Sequence, residues 1–328
     1  MVELYPWQHT QWAQLANRTQ HPHAYLFHGP QGIGKHVLAQ RLGQLLLCSN
    51  PQQHQPCGQC KSCLLLSAGS HPDFYAVQPE EADKAIRVDQ IRALVDFVGT
   101  TAQLGGRKLV LLDPAEAMNT QAANALLKSL EEPSGDTVLL LVTHQLSSLL
   151  PTIRSRCVKQ ACRVPSPSEA VRWLQAQLPE VSKEDLAQLL SLARGFPLQA
   201  FRLHEQGAVQ WQNLMLEELD KLRQGQQWPS AVADAWQAIP LLLIFDWFYQ
   251  WTLLLVRQQI TRSPCQTPNP LLRDYLYELT AQTECTQVLA FQDWLLQQRH
   301  AVQNRANLNR TLLLEALLVQ WSDLISAG

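Results

Sequence analysis

Ala24-Tyr25-Leu26-Phe27-His28-Gly29-Pro30-Gln31-Gly32-Ile33-Gly34-Lys35-His36 is the stretch on which the fold turns. A short apolar run enters G-x-x-x-x-G-K, and an amphipathic helical pattern over 35–47 follows. A strand, a glycine loop and a helix in that order make a phosphate cradle. The glycines let backbone N–H groups turn inward, the helix N-terminus adds positive potential, and the lysine reaches the terminal phosphates. The bland alternative is a chance glycine-rich turn, which the flanking strand and helix disfavour. Gly29, Gly32, Gly34 and Lys35 are therefore candidate nucleotide contacts. An intact loop continues with Ser or Thr, whose hydroxyl ligates Mg²⁺. Here the position is His36, and a neutral imidazole is a poor ligand for a cation that prefers hard oxygen donors.

Outward from the loop, apolar runs at 24–28, 74–78, 108–112, 137–142 and 158–163 read as strands. Helical patterns lie between them at 35–47, 60–68, 88–98, 120–131 and 146–150. Such alternation predicts an α/β domain with a mostly parallel sheet and helices on both faces. Asn119 is placed to cap the helix over 120–131, and Pro133 to stop it. A proline-rich linker, Val164-Pro165-Ser166-Pro167-Ser168, changes the texture, and everything after it reads helical. Helices are expected at 168–178, at 183–194 with Gly195 closing the second, and from Pro197 to about 205. Longer ones follow at 209–224, 230–259, 269–281, 286–304 and 308–326. The expected domains are 1–164, a P-loop-type domain; 165–207, a small helical domain; and 208–328, an all-α domain. Trp211, Trp236, Trp247, Trp251, Trp294 and Trp321 fall at helical spacings there, most as core and some as interface residues.

The strand ending Leu111-Leu112-Asp113 looks like the acidic strand that supports a metal beside a phosphate loop. In active ATPases of this type a glutamate follows the aspartate and polarises the attacking water. Pro114 takes that place, and Glu116 is expected to point elsewhere. The other reading of Asp113 is a turn-forming carboxylate before a proline. With both the metal hydroxyl and the base missing, turnover is not expected, and weak or absent ATP binding is.

Cys48, Cys57, Cys60 and Cys63 are spaced C-x8-C-x2-C-x2-C. Four thiolates in so short a segment suit a closed, structural Zn²⁺ site. Disulfides and an iron–sulfur cluster are the alternatives. His54 and His71 are expected at the surface, and the other four cysteines are expected to be inert. Among 328 residues, 46% are hydrophobic and the formal net charge is −2. That composition suits a globular, multi-domain protein and argues against a DNA grip made chiefly through phosphates. The apolar stretch 240–256 contains Asp246 and Gln250 and reads as a buried or interface helix, not a membrane span. No basic region followed by an apolar run opens the chain, so the cytoplasm is the expected compartment. No set of carboxylates for two-metal nucleotidyl transfer is present.

The phosphate loop, the four-cysteine insertion after its helix, and Asn124-Ala125-Leu126-Leu127-Lys128-Ser129-Leu130-Glu131-Glu132-Pro133 together resemble the bacterial clamp-loader ATPases of the AAA+ class. Leu150-Pro151-Thr152-Ile153-Arg154-Ser155-Arg156-Cys157 and Asp113-Pro114-Ala115-Glu116-Ala117-Met118-Asn119 carry the same resemblance. It spans 1–165 with specific motifs and the helical half more loosely, mainly over 307–318. The resemblance implies that Arg156 is an arginine finger for the neighbouring subunit's nucleotide. It also implies that Thr143 is a polar sensor and that Leu198 stands where active members carry a phosphate-sensing arginine. Without it, Arg154 and Arg156 would read as helix-end caps or a surface pair. The implied partners are the other loader subunits, both ATPase subunits and the clamp-opening delta subunit, in a five-membered ring held by a helical collar. The sliding clamp and primed DNA are reached through that complex. Two competing functions remain: an active ATP-hydrolysing loader subunit, and a zinc-stabilised nucleic-acid-binding module.

Overall fold

The computed structural model describes residues 2–81, 84–104, 106–133, 135–303 and 308–326; Asn307 and the end of the helix expected to 304 lie outside them. The chain divides into two compact units, Met1–Trp173 with Phe196–Gln199 and Leu174–Gly195 with Ala200–Gly328.

The first unit is the expected α/β fold. After α1 (His9–Ala16) come β1 (Ala24–His28), α2 (Lys35–Leu47), α3 (Lys61–Ser67), β2 (Phe74–Val77), α4 (Val88–Gly99), β3 (Lys108–Leu112), α5 (Thr120–Glu131), β4 (Thr137–Thr143), α6 (Pro151–Arg156) and β5 (Val158–Ala161). All strand pairings are parallel, and the order is β2-β3-β4-β1-β5. Parallel strands buried on both faces read as continuous apolar runs, which is why β3 and β4 carry no polar alternation. The period of two still sorts their side chains. Tyr25, Phe27, Leu109, Leu111, Leu140 and Val142 pack under α1 and α2. Leu26, Val110, Leu112, Leu139 and Leu141 pack under α4 and α5. The carboxyl ends of β1, β3 and β4 converge on one edge of the domain, the place where open α/β sheets build their sites.

Local capping behaves as read. The Asn119 side chain accepts a hydrogen bond from the Ala122 N–H at 2.8 Å, opening α5. One helix expectation in this unit fails. The helix expected at 146–150 is only a 3-10 turn over Leu146–Ser148. The true helix starts at Pro151, whose fixed φ and missing N–H suit a first helical position. The signal for α1 was not read, because eight residues are too few for a clear period.

After α7 (Pro167–Gln177), the remaining chain forms α8 (Lys183–Leu192), α9 (Pro197–Glu205), α10 (Ala208–Arg223), α11 (Pro229–Ala235), α12 (Leu241–Thr261), α13 (Pro270–Thr280), α14 (Cys285–Gln303) and α15 (Arg310–Ser326). The single helix expected over 230–259 is two. Pro240 has no N–H to continue the ladder and becomes the N-cap of α12 instead. In the second unit Trp236, Trp247, Trp251 and Trp321 are fully buried, while Trp211 and Trp294 are half-buried. Phe248 stacks edge-on against Trp321 at 5.0 Å, and the Trp321 indole N–H donates to the Tyr275 hydroxyl at 2.9 Å. No helix among the described residues is long and apolar enough to cross a membrane.

Candidate functional site

The glycine loop runs from the end of β1 into α2, with Gly29, Gly32 and Gly34 all at positive φ. Gly34 is required by a neighbour as well as by its backbone. A Cβ there would lie 2.4 Å from the Tyr5 ring. The segment before α1 lies on the loop: Gln8 Nε2 donates to the Gly34 carbonyl at 2.8 Å and the Trp7 indole to the Ile33 carbonyl at 2.9 Å. Tyr5 stacks on Trp7 at 5.0 Å, and Trp173 meets both edge-on. On the other side the Leu198 N–H donates to the Gly32 carbonyl at 3.3 Å. Tyr5, Trp7 and Gln8 were not singled out from the sequence; the loop residues they meet lie 25 or more positions away, and nothing local marks them.

Lys35 is 3% exposed, and its ammonium donates to the Pro30 carbonyl at 2.6 Å. Burial pushes its pKa down to about 8, against the partial support of Cys162, Asp113 and Glu116. His36 Nδ1 lies 2.7 Å from Asp113 Oδ2. The residue at the hydroxyl position of the loop and the carboxylate after β3 are thus bound to each other. Thr143 ends β4, is fully buried, and accepts the Gln145 N–H through its hydroxyl at 3.2 Å. Glu116 does not point away. Its Oε1 accepts the His144 N–H at 2.8 Å, which brings a carboxylate to the end of β4 within electrostatic reach of Lys35. The 3-10 turn Ala115–Ala117 folds it back, a reversal that the sequence does not advertise.

The buried lysine makes a signed prediction. Its folded pKa is depressed from 10.5 to about 8. Below that value the ammonium is charged in both states, and folding bears the full desolvation cost. Between about 8 and 10.5 the folded state has lost the proton and the unfolded state has not, so stability rises with pH. Urea unfolding of the wild type and of Lys35→Met at several pH values should show the wild type gaining on the variant through that window. A difference independent of pH would contradict the burial of a charged amine.

The four cysteines come together as a separate centre beside α2. Their sulfurs all lie within 4.8 Å of one another, with Cys48 Sγ 3.6 Å from Cys57 Sγ and 3.9 Å from Cys60 Sγ. No disulfide joins them, since bonded sulfurs sit ~2.05 Å apart. The separations match a tetrahedron of thiolates around a metal, since bonds of ~2.3 Å place sulfurs ~3.8 Å apart. Cys48 follows the last turn of α2, and Cys60 caps α3, its sulfur accepting the Cys63 N–H. Burial opposes the Cys60 thiolate. N–H donation from Cys63 and Ser49 and the neighbouring sulfurs outweigh it, and the pKa falls to about 6. The donor set fits a metal ion.

His54 is exposed as expected, but His71 is not a surface residue; it is 6% exposed. Its Nδ1 accepts the Asp73 N–H at 3.1 Å, which leaves the other nitrogen protonated towards the Ser62 hydroxyl at 2.7 Å. That hydroxyl donates to the Leu47 carbonyl at 2.6 Å. The chain ties α3 to the end of α2, so His71 braces the cysteine module from inside.

Arg156 is the last residue of α6 and half-buried. Its Nη2 meets Glu131 Oε1, at the end of α5, at 2.5 Å, and its Nη1 donates to the Thr152 carbonyl at 3.0 Å. Its recorded polar partners, Glu131 and Thr152, are not residues of the Lys35 loop.

Residues 6–164 match the family model described as DNA polymerase III, delta subunit. The delta' subunit of DNA polymerase III from Pseudomonas aeruginosa is 54% identical over 328 residues, covering 100% of both chains. The Escherichia coli delta' subunit is 30% identical over 333 residues, covering 100% of this chain and 98% of its own. A solved gamma subunit-related protein of DNA polymerase III from Thermotoga maritima superposes with a TM-score of 0.48 at 20% identity, covering 97% of this chain and 99% of its own. A parallel sheet with a glycine loop at its carboxyl edge, a four-cysteine module after the first loop helix, and full-length identity of this order place the chain in the family of DNA polymerase III delta' subunits.

Proposed function

We propose that this chain is a non-hydrolysing subunit of the clamp loader. It helps assemble the ring and lends Arg156 in trans to the neighbouring subunit's nucleotide while the sliding clamp is loaded onto primed DNA. The observation that carries the reading is the 2.7 Å contact between His36 and Asp113. In an active site of this class both positions serve Mg²⁺; here an imidazole replaces the hydroxyl and closes on the carboxylate. Lys35 is likewise spent on its own loop carbonyl. Pro114 removes the base, and Glu116, though close, is engaged with the His144 backbone. These residues do not fit a hydrolysing Mg²⁺–nucleotide complex, and ATP binding is weak or absent.

In this reading residues 165–207 are the small helical domain and 208–328 the subunit's share of the collar. Partners are the ATPase subunits and the clamp-opening delta subunit. The metal in the four-cysteine module is zinc: the all-sulfur set and tetrahedral spacing suit it, and with no open position it is structural. The compartment is the cytoplasm.

The test is reconstitution. Loader proteins mixed with and without this chain should differ in ring assembly by gel filtration and in clamp-stimulated ATP turnover. A ring that forms and hydrolyses equally well without the chain would end the proposal.

A further inference from the structure

We infer that Glu131 is a positioning residue for the Arg156 guanidinium, an inference that rests on the finger role proposed above. Three observations lead to it. First, the contact is direct and short, Arg156 Nη2 to Glu131 Oε1 at 2.5 Å, and it joins the last residue of α5 to the last residue of α6. Second, Glu131 is electrostatically misplaced as a helix residue. The end of a helix carries partial negative charge and disfavours a carboxylate, whereas Lys128, in the same last turn, is of the favoured sign. Helix stability therefore does not account for an acid at this position. Third, the guanidinium is held along part of its edge only. One terminal nitrogen meets Glu131 and the other donates to the Thr152 carbonyl at 3.0 Å, and with five N–H donors the group keeps some for an acceptor outside the chain.

An arginine side chain has several rotatable bonds and loses much freedom when one geometry is required. Fixing it beforehand from its own subunit removes that cost at the moment the transition-state charge develops. Glu131 meets one terminal nitrogen and the Thr152 carbonyl accepts from the other, which leaves the group N–H donors for a further acceptor. The α5 carboxyl end beneath is tied to the residue before β1 by the His23 Nε2 contact with the Leu130 carbonyl at 3.1 Å. Glu131 acts through Arg156 and touches no nucleotide.

The experiment uses the complete reconstituted loader with clamp and primed DNA, and measures kcat and KM for ATP. The variants are Glu131→Ala, Glu131→Gln, Arg156→Ala and the Glu131→Ala/Arg156→Ala double. Glu131→Ala should lower kcat roughly tenfold with KM for ATP little changed. Glu131→Gln, which keeps an acceptor oxygen, should restore most of it. The double variant should be no slower than Arg156→Ala, because both act as one unit. Assembly and melting temperature should stay at wild-type values, since an exposed ion pair at an unfavourable helix position is being removed. Normal kcat in Glu131→Ala beside a collapsed Arg156→Ala overturns the positioning role and leaves the finger standing. A normal Arg156→Ala removes the finger and the positioning role with it. Equal further loss on adding Glu131→Ala to the Arg156→Ala background would mean that Glu131 acts elsewhere, and would also overturn the inference.

Discussion

Arg156→Ala should lower ATP hydrolysis at the nucleotide site facing this subunit by on the order of 10³, while the ring still assembles. The size follows from the chemistry of phosphoryl transfer. Charge accumulates on the transferring group, and a guanidinium delivered into a water-poor interface stabilises it far more than it would in solvent. The preservation of assembly follows from this structure. Arg156 is half-exposed on the end of a short helix, and its contacts within the chain are an ion pair with Glu131 and one bond to a backbone carbonyl. Exposed pairs of that kind contribute ~0–1 kcal/mol to folding. Turnover measured in the reconstituted loader checks the claim, with gel filtration on the same sample; unchanged hydrolysis removes the finger.

The second large effect concerns the cysteine module. Metal analysis of the purified chain should give about one zinc per chain. Cys60→Ser, or a strong chelator, should release it and unfold residues 48–63 locally, with protease cutting there first. Structural zinc sites carry binding free energies of ~10 kcal/mol or more, and that energy is folding energy for segments with little core of their own. This module is such a segment. Cys48 and Cys63 are its buried sulfurs, and Leu64 beside them is exposed. Zinc affinity should fall as pH falls, because thiolates must shed protons to bind, and burial holds the Cys63 thiol up at about 12 without a metal. The parallel sheet should survive, since its two apolar layers do not depend on the sulfurs. Metal content near zero with an intact module would contradict the assignment.

What could be read from the sequence was what neighbouring residues encode. The phosphate loop, the strands and α2 are continuous stretches whose patterns are local, and β1, β3, α2 and α5 begin and end where the pattern puts them. The cysteine centre was legible because its four donors lie in one short run. The places where reading failed are of two kinds. One is competition between signals: the leucine-rich period from 230 to 259 outweighed Pro240, although a proline's missing N–H decides the boundary, and Pro151 likewise moved a helix. The other is contact at a distance. His36 and Asp113 are 77 positions apart, and Arg156 and Glu131 are 25 apart. Tyr5 and Gln8 reach a loop beyond a helix and a strand, and Glu116 returns to β4 through a turn. His71 became internal because α3 needed a polar brace against the α2 carboxyl end. No periodicity reports such pairs; the sheet order brings them together.

The account depends most on the state of the glycine loop, and one assay addresses it. Purified chain, alone and free of other loader subunits, is incubated with Mg²⁺ and ATP, and phosphate release is followed beside Lys35→Ala. The expected result is no Mg²⁺-dependent release above background in either protein. Sustained hydrolysis by the wild type that disappears in Lys35→Ala would show a working site behind His36 and Asp113, and the chain would be a motor in its own right.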